Sequence, residues 1–212
     1  MARPQRSDAR RNHERLLSAA TQSLEERGAE ASLEDIARRA GVGIGTLYRH
    51  FPTRDALLEA VFRRNVDQLC AGGRQLLETL PPEEALATWM RRLVEYVAAK
   101  KGLATHLKTV LAADSDLFVS THERIGATIR SLVGAAVAAG AIRADVDPED
   151  LLRALFGVCL MADDSGSQER ARRISGLLMD GLRFRPPAPP GSAPAPAVLL
   201  GSPRGARRRA GS

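Results

Sequence analysis

The chain has 212 residues, with 31 Lys/Arg against 25 Asp/Glu and a formal net charge of +6, enough length to bury a core without disulfide or metal staples. Its two cysteines, Cys70 and Cys159, lie far apart in apolar helical patterns, which excludes a disulfide framework and a cysteine metal site. No uncharged apolar run approaches a membrane span and no apolar h-region opens the chain, so a cytoplasmic protein, neither secreted nor membrane-spanning, is expected.

Charge is unevenly spread. Residues 1–64 carry 12 Lys/Arg against 9 Asp/Glu, residues 65–184 carry 14 against 16, and residues 185–212 carry 5 against none. Basic ends around a mildly acidic middle fit a nucleic-acid-binding amino end joined to a body with another task.

In chain order, Met1 to Asp8 reads as a polar arm, and Ser7 or Asp8 as the cap of a helix running to Arg27. Leu16, Leu17, Ala20 and Leu24 form its apolar stripe, and Gly28 ends it. Ser32 starts a second helix, with Asp35 three residues on as a near capping box and Gly41 as the stop. Arg38 and Arg39 in its last turn suit either the helix dipole or a phosphate.

A Gly-Val-Gly turn then leads to a short helix, Ile44 to Phe51, the arrangement of a helix-turn-helix. Val42, Leu47 and Phe51 fall near one face, which leaves Thr46, Tyr48, Arg49 and His50 outward. Gly43 and Gly45 bring the backbone close to whatever the helix entrance meets. Pro52 breaks the chain, Thr53 caps the next helix, and that helix runs from Arg54 to about Thr79. Such a helix is about 39 Å long, enough to bridge two domains.

These segments, LLSAATQSLEERGAEASLEDIARRAGVGIGTLYRHFPTRDALLEAV as they stand, resemble the amino-terminal domain of the TetR family of bacterial transcriptional regulators. The resemblance covers about Arg10 to Val61. It implies that Ile44–His50 is a recognition helix, with Thr46, Tyr48 and His50 at the backbone or base edges, Arg49 within reach of a base and Arg54 at a phosphate. Ser32, Ile44 and Gly45 complete the candidate DNA-contacting set. Ile44 departs from the polar residue many members place there, and offers apolar contact such as to a thymine methyl. Glu34, in the first turn of the second helix, would repel a phosphate it faced.

Beyond Leu80, Pro81-Pro82 breaks the chain and Glu83-Glu84 opens a helix expected to reach Lys100, where Gly102 interrupts it. A shorter segment to Ala113 follows, then a long helix from Ser115 or Ser120 to Ala139, stopped by Gly140. Asp147-Pro148-Glu149-Asp150 starts a helix apolar nearly all round; Gly166 ends it and Ser167 caps the last one, with Ile174, Leu177, Leu178, Gly181 and Leu182 as its stripe. No alternating β-branched run occurs, so the fold class expected is all-α.

Three regions follow: a DNA-binding domain at 1–53, a helical effector-binding and dimerisation domain at 54–184, and a disordered Pro/Ala/Arg-rich tail at 185–212. The resemblance implies a homodimer through the last two helices, about 148–164 and 168–184, which would present two recognition helices to a palindromic operator. It also implies a small-molecule effector in the body. Candidate lining residues are Trp89, Met90, Tyr96, His106, Phe118, His122, Phe156 and Met161.

His106 and His122 neighbour Asp114, Asp116 and Glu123 in sequence, but their spacing matches no ligand motif, and no metal is expected. No nucleophile motif or phosphate-cradling loop occurs, so neither catalysis nor a cofactor is expected. The function read from the sequence is a ligand-responsive repressor. Its rival is an architectural or cell-division DNA binder without an effector.

Overall fold

The computed structural model describes residues 4–28, 31–110, 115–160 and 167–183, with the side chains of 4–7, 98–105, 108–110, 159–160 and 167–168 outside the description. Among the described residues there are eight α-helices and no strand, as expected of an all-α chain.

Helix α1 (Pro4–Arg27) begins a turn before the expected Ser7 or Asp8 cap. Proline suits the first helical position, because its φ is preset and its missing N–H would find no partner there. The expected arm is therefore helical from Pro4, and residues 1–3 lie outside the described residues.

Helix α2 (Leu33–Ala40) starts as its sequence demands: the Ser32 hydroxyl accepts the Asp35 N–H at 3.1 Å. It stops at Gly41, whose φ of 66° is left-handed and whose N–H returns to the helix's last carbonyls. A Cβ at Gly41 would meet only the guanidinium end of the Arg15 side chain, which can move aside, so it is the left-handed backbone that calls for glycine. Ser32→Ala should cost about 1 kcal/mol by loss of the cap, read as a lowered thermal midpoint.

Helix α3 (Ile44–His50) is short and rests on Leu47, which is wholly buried, and on Phe51 just beyond it. Helix α4 (Arg54–Thr79) is capped by Thr53, whose hydroxyl accepts the Ala56 N–H at 3.1 Å. Its length is that expected of a bridge.

Two apolar cores meet along α4. Leu57 and Val61 join Leu16, Ala20, Ile36, Leu47 and Phe51 in a small core. Leu58 and Phe62 join Val66, Trp89, Leu93, Ile129 and Leu152 in a large one. Neighbouring residues on one helix thus serve different cores.

The large core is closed by α5 (Pro82–Val110), α6 (Asp116–Ala138), α7 (Pro148–Leu160) and α8 (Ser167–Arg183). The break expected at Gly102 does not occur, and α5 continues through it to Val110. An interior glycine costs only about 1 kcal/mol relative to alanine, and beyond it Leu107 is wholly buried in the large core, which offsets that loss. Residues 111–114, the end of the expected separate segment, lie outside the described residues.

Asp147 accepts the Glu149 N–H at 2.7 Å and starts α7 at Pro148 as anticipated. Ser167 is the first residue of α8 rather than its cap, and Gly166 lies outside the described residues. Helices pack closely at Gly73, where a Cβ would clash with the Thr128 methyl and lie 3.1 Å from the Trp89 ring. No helix among the described residues is long and apolar enough to cross a membrane.

Candidate nucleic-acid interface and body interior

Burial of Leu47 turns the opposite side of α3 outward. Ile44 is 37% exposed and Tyr48, one turn later, 46%. Gly45 and Arg49 form the next exposed row, while Thr46 and His50 are half-buried. No atom lies within 4 Å of a Cβ added at Gly43 or Gly45, so the entrance of α3 is bare. Together these place an aliphatic, a phenolic and a guanidinium group on one short helix, suited to a thymine methyl, a phosphate and a guanine edge respectively.

The flanking residues divide. Ser32 is half-buried and its oxygen is engaged as a cap acceptor, which leaves the hydroxyl proton to donate. Arg54 donates from Nη1 to the Ala31 carbonyl at 2.7 Å, so it also ties the start of α4 to the segment before α2. Arg39 forms a fork with both Glu26 oxygens at 2.8 and 2.5 Å, and Arg38 pairs with Asp35, which also takes Arg27 at 2.8 Å. Both cations thus pair with carboxylates, a partner that neither the dipole nor the phosphate reading supplied. Glu34 is exposed.

His13 on α1 meets the end of α3: its ring centroid lies 5.6 Å from that of His50 and 4.9 Å from that of Phe51. Burial lowers the His13 pKa first, and the charges of His50 and Arg64 lower it further against an opposing pull from Glu14. A folded value below the unfolded one means that the unfolded chain takes up the proton first. Stability from this site is full above the ordinary histidine value of 6.5 and declines as pH falls through it. Wild-type protein should lose thermal stability between pH 7.5 and 5.5, and His13→Gln should flatten that slope.

In the body, Trp89 and Met90 are wholly buried, and the Trp89 Nε1–H donates to the Leu69 carbonyl at 3.1 Å. Both serve as packing. Phe118 meets Phe62 edge-on with centroids 6.1 Å apart, and His106 Nε2 lies 3.1 Å from Asp55 Oδ1 on the first turn of α4. The Tyr96 hydroxyl is buried without a hydrogen-bond partner among the described residues. These last three residues therefore turn towards α4. His122 does not: its side chain is 61% exposed, 3.7 Å from Glu149. Phe156 is half-buried against the large core, and Met161 lies outside the described residues.

Two residues that sequence reasoning did not single out for the body interior are Asn65, 7% exposed, and Ser115; among the described residues the Asn65 Nδ2 has no partner and the buried Ser115 hydroxyl caps nothing. A lone amide among Phe62, Val66 and Leu69 was the signal available for the first. A cleft of about 240 Å³ opens between α4 and α6 over Cys70, with Arg74 and Arg124 at its rim. Among the described residues no three His, Cys, Asp or Glu groups converge to hold a metal ion.

Comparison with known proteins covers both halves. Residues 16–61 match the family model of bacterial regulatory proteins of the tetR family, and residues 81–184 that of the C-terminal domain of SbtR-like transcriptional regulators. A TetR transcriptional regulator from Streptomyces coelicolor has a solved structure that is 43% identical, covers 81% of this chain and 98% of its own, and superposes with a TM-score of 0.71. A TetR regulatory protein from Mycobacterium vanbaalenii is 36% identical over 85% of this chain and 100% of its own, with a TM-score of 0.68. Curated relatives match in part. The HTH-type transcriptional activator FasR of Mycolicibacterium smegmatis is 45% identical over 65 residues, 30% of each chain. An HTH-type transcriptional regulator of Staphylococcus aureus is 41% identical over 70 residues, 32% of this chain and 36% of its own. The chain thus spans about a third of the length of these curated relatives.

Proposed function

Because the chain belongs to the TetR family of transcriptional regulators, we propose that it acts in the cytoplasm as a homodimeric, ligand-responsive repressor on a palindromic operator. The observation that carries this reading is α3, held outward by one buried leucine on a core that shares α4 with the body. An exposed row of Ile44, Tyr48 and Arg49 is what a major groove recognises, and a shared helix gives the body a mechanical route to it.

The dimer is supported by the outer face of α7 and α8. Leu177 is 69% exposed beside half-buried Ile174 and Leu178, and a Cβ at Gly157, Gly176 or Gly181 would meet nothing within 4 Å. Small residues around an unburied leucine on two adjacent helices favour close helix contact with a second copy. A bound dimer occupies promoter DNA that polymerase needs, which makes repression the simplest outcome. Ligand relieves it only by binding the form that does not fit DNA more tightly.

Fluorescence anisotropy tests the reading on duplex from the gene's own upstream region against random duplex. Tyr48→Ala should weaken binding to the upstream duplex about 10- to 100-fold, since two copies of the contact are lost, and leave the dimer intact. Unchanged affinity in this variant would overturn the role of α3. A ratio near one between the duplexes, with a steep salt dependence, would favour the architectural alternative. Deleting the gene should raise transcription from the bound promoter; a fall would make the protein an activator.

A further inference from the structure

Three side-chain atoms of the body are buried with no hydrogen-bond partner among the described residues: Asn65 Nδ2, Tyr96 Oη and Ser115 Oγ. Buried polar groups are nearly always satisfied, because an orphan has given up its water and received nothing. Three orphans on three helices therefore call for an absent partner.

The three lie on elements that pack against one another. Helices α4 and α5 run antiparallel and are pinned at two places, Trp89 Nε1 to the Leu69 carbonyl at 3.1 Å and His106 Nε2 to Asp55 Oδ1 at 3.1 Å. Asn65 on α4 and Tyr96 on α5 both lie between these pins, Asn65 four residues from Leu69 and Tyr96 seven from Trp89. One turn before Asn65, Phe62 meets Phe118 edge-on at 6.1 Å, and one turn before Phe118, Ser115 opens α6. Polar groups thus stand at the two ends of an aromatic stretch, on the order of 10 Å apart along α4.

The chemistry is that of neutral donors. Burial, with the nearby Cys70 thiol, pushes the Tyr96 hydroxyl above the ordinary phenol range, so it remains an O–H. Asn65 offers an N–H. Val66 and Leu93, next to these residues along their helices, are buried and apolar, so an ion placed beside them would lose its hydration.

We propose that Asn65 Nδ2 and Tyr96 Oη hold an uncharged carbonyl oxygen of the effector, an otherwise apolar molecule. This rests on the reading of the body as a ligand-responsive domain. One of the two donors stands on α4 itself, so occupancy acts directly on the helix that carries α3.

The test uses full-length protein and three probes with ten-carbon chains, methyl decanoate, decanoate and decylammonium, read by thermal melting. Methyl decanoate should raise the wild-type midpoint by several degrees and the two ions by less. Tyr96→Phe and Asn65→Val should abolish that shift while melting, unliganded, no lower than wild type, because each loses an orphan and not a bond. No shift with any probe, equal shifts with all three, or shifts retained in both variants would overturn the proposal. So would unliganded variants that melt lower, which would mean that water already satisfies these groups.

Anisotropy on operator DNA separates this proposal from the broader reading. If the ester binds through Asn65 and Tyr96 but leaves DNA affinity unchanged, the site stands and the ligand response falls. If decanoate releases DNA equally from wild type and both variants, the response stands and the anchor falls.

Discussion

Leu47→Ala should destabilise the amino-terminal half by about 2–5 kcal/mol and reduce DNA affinity more than 100-fold, with the body still folded. Leu47 is wholly buried, and it is the buried residue of α3. A seven-residue helix is far too short to persist on its own propensity, so its position rests on this side chain and its neighbour Phe51. The small core is also thin: it draws on short segments of α1, α2 and α3 and the first two turns of α4. Truncation there leaves a cavity that few atoms can collapse to fill. A circular-dichroism melt should show a new early transition ahead of the main one, and anisotropy should show the lost affinity. A single unshifted transition with normal binding would mean that α3 is held by something other than its leucine.

Leu177→Glu should convert the protein to a monomer by light scattering and reduce operator affinity by about two orders of magnitude, because the second half-site is no longer reached intramolecularly. The substitution is clean for the protomer: a residue 69% exposed on α8 contributes little to its own fold, and surface changes usually fall within about 0.5 kcal/mol. In a two-fold interface it acts twice, placing two carboxylates against an apolar surface at the axis of contact. A dimer that survives the change would place the subunit contact elsewhere.

Residues whose role is set by their immediate neighbours were legible in the sequence. Ser32 caps, Gly41 turns and Thr53 restarts because hydroxyl, absent Cβ and backbone geometry act over three or four residues. The ends of α4 follow from Thr53 and from the Pro81-Pro82 pair in the same way. Gly102 was misleading because its local penalty is outweighed by burial of Leu107, a tertiary effect. The partner of Arg39 was not legible, because Glu26 lies thirteen residues away on α1 and only the fold brings it within 2.5 Å. Asn65 shows in the sequence only as a lone amide in an apolar stripe; that its Nδ2 has no partner among the described residues is revealed only by the packed helices.

The alternation on α4 bears on how such a protein can be re-engineered. Leu57 and Val61 face the small core, Leu58 and Phe62 the large one, with no loop between. A chimera made by cutting across the chain at residues 53 and 54 would marry a foreign amino-terminal half to side chains shaped for another. The seam between the two modules runs lengthwise along the helix. A transplant that keeps both cores intact must therefore bring positions 57 and 61 from the donor and retain 58 and 62 from the recipient, interleaved on the same two turns.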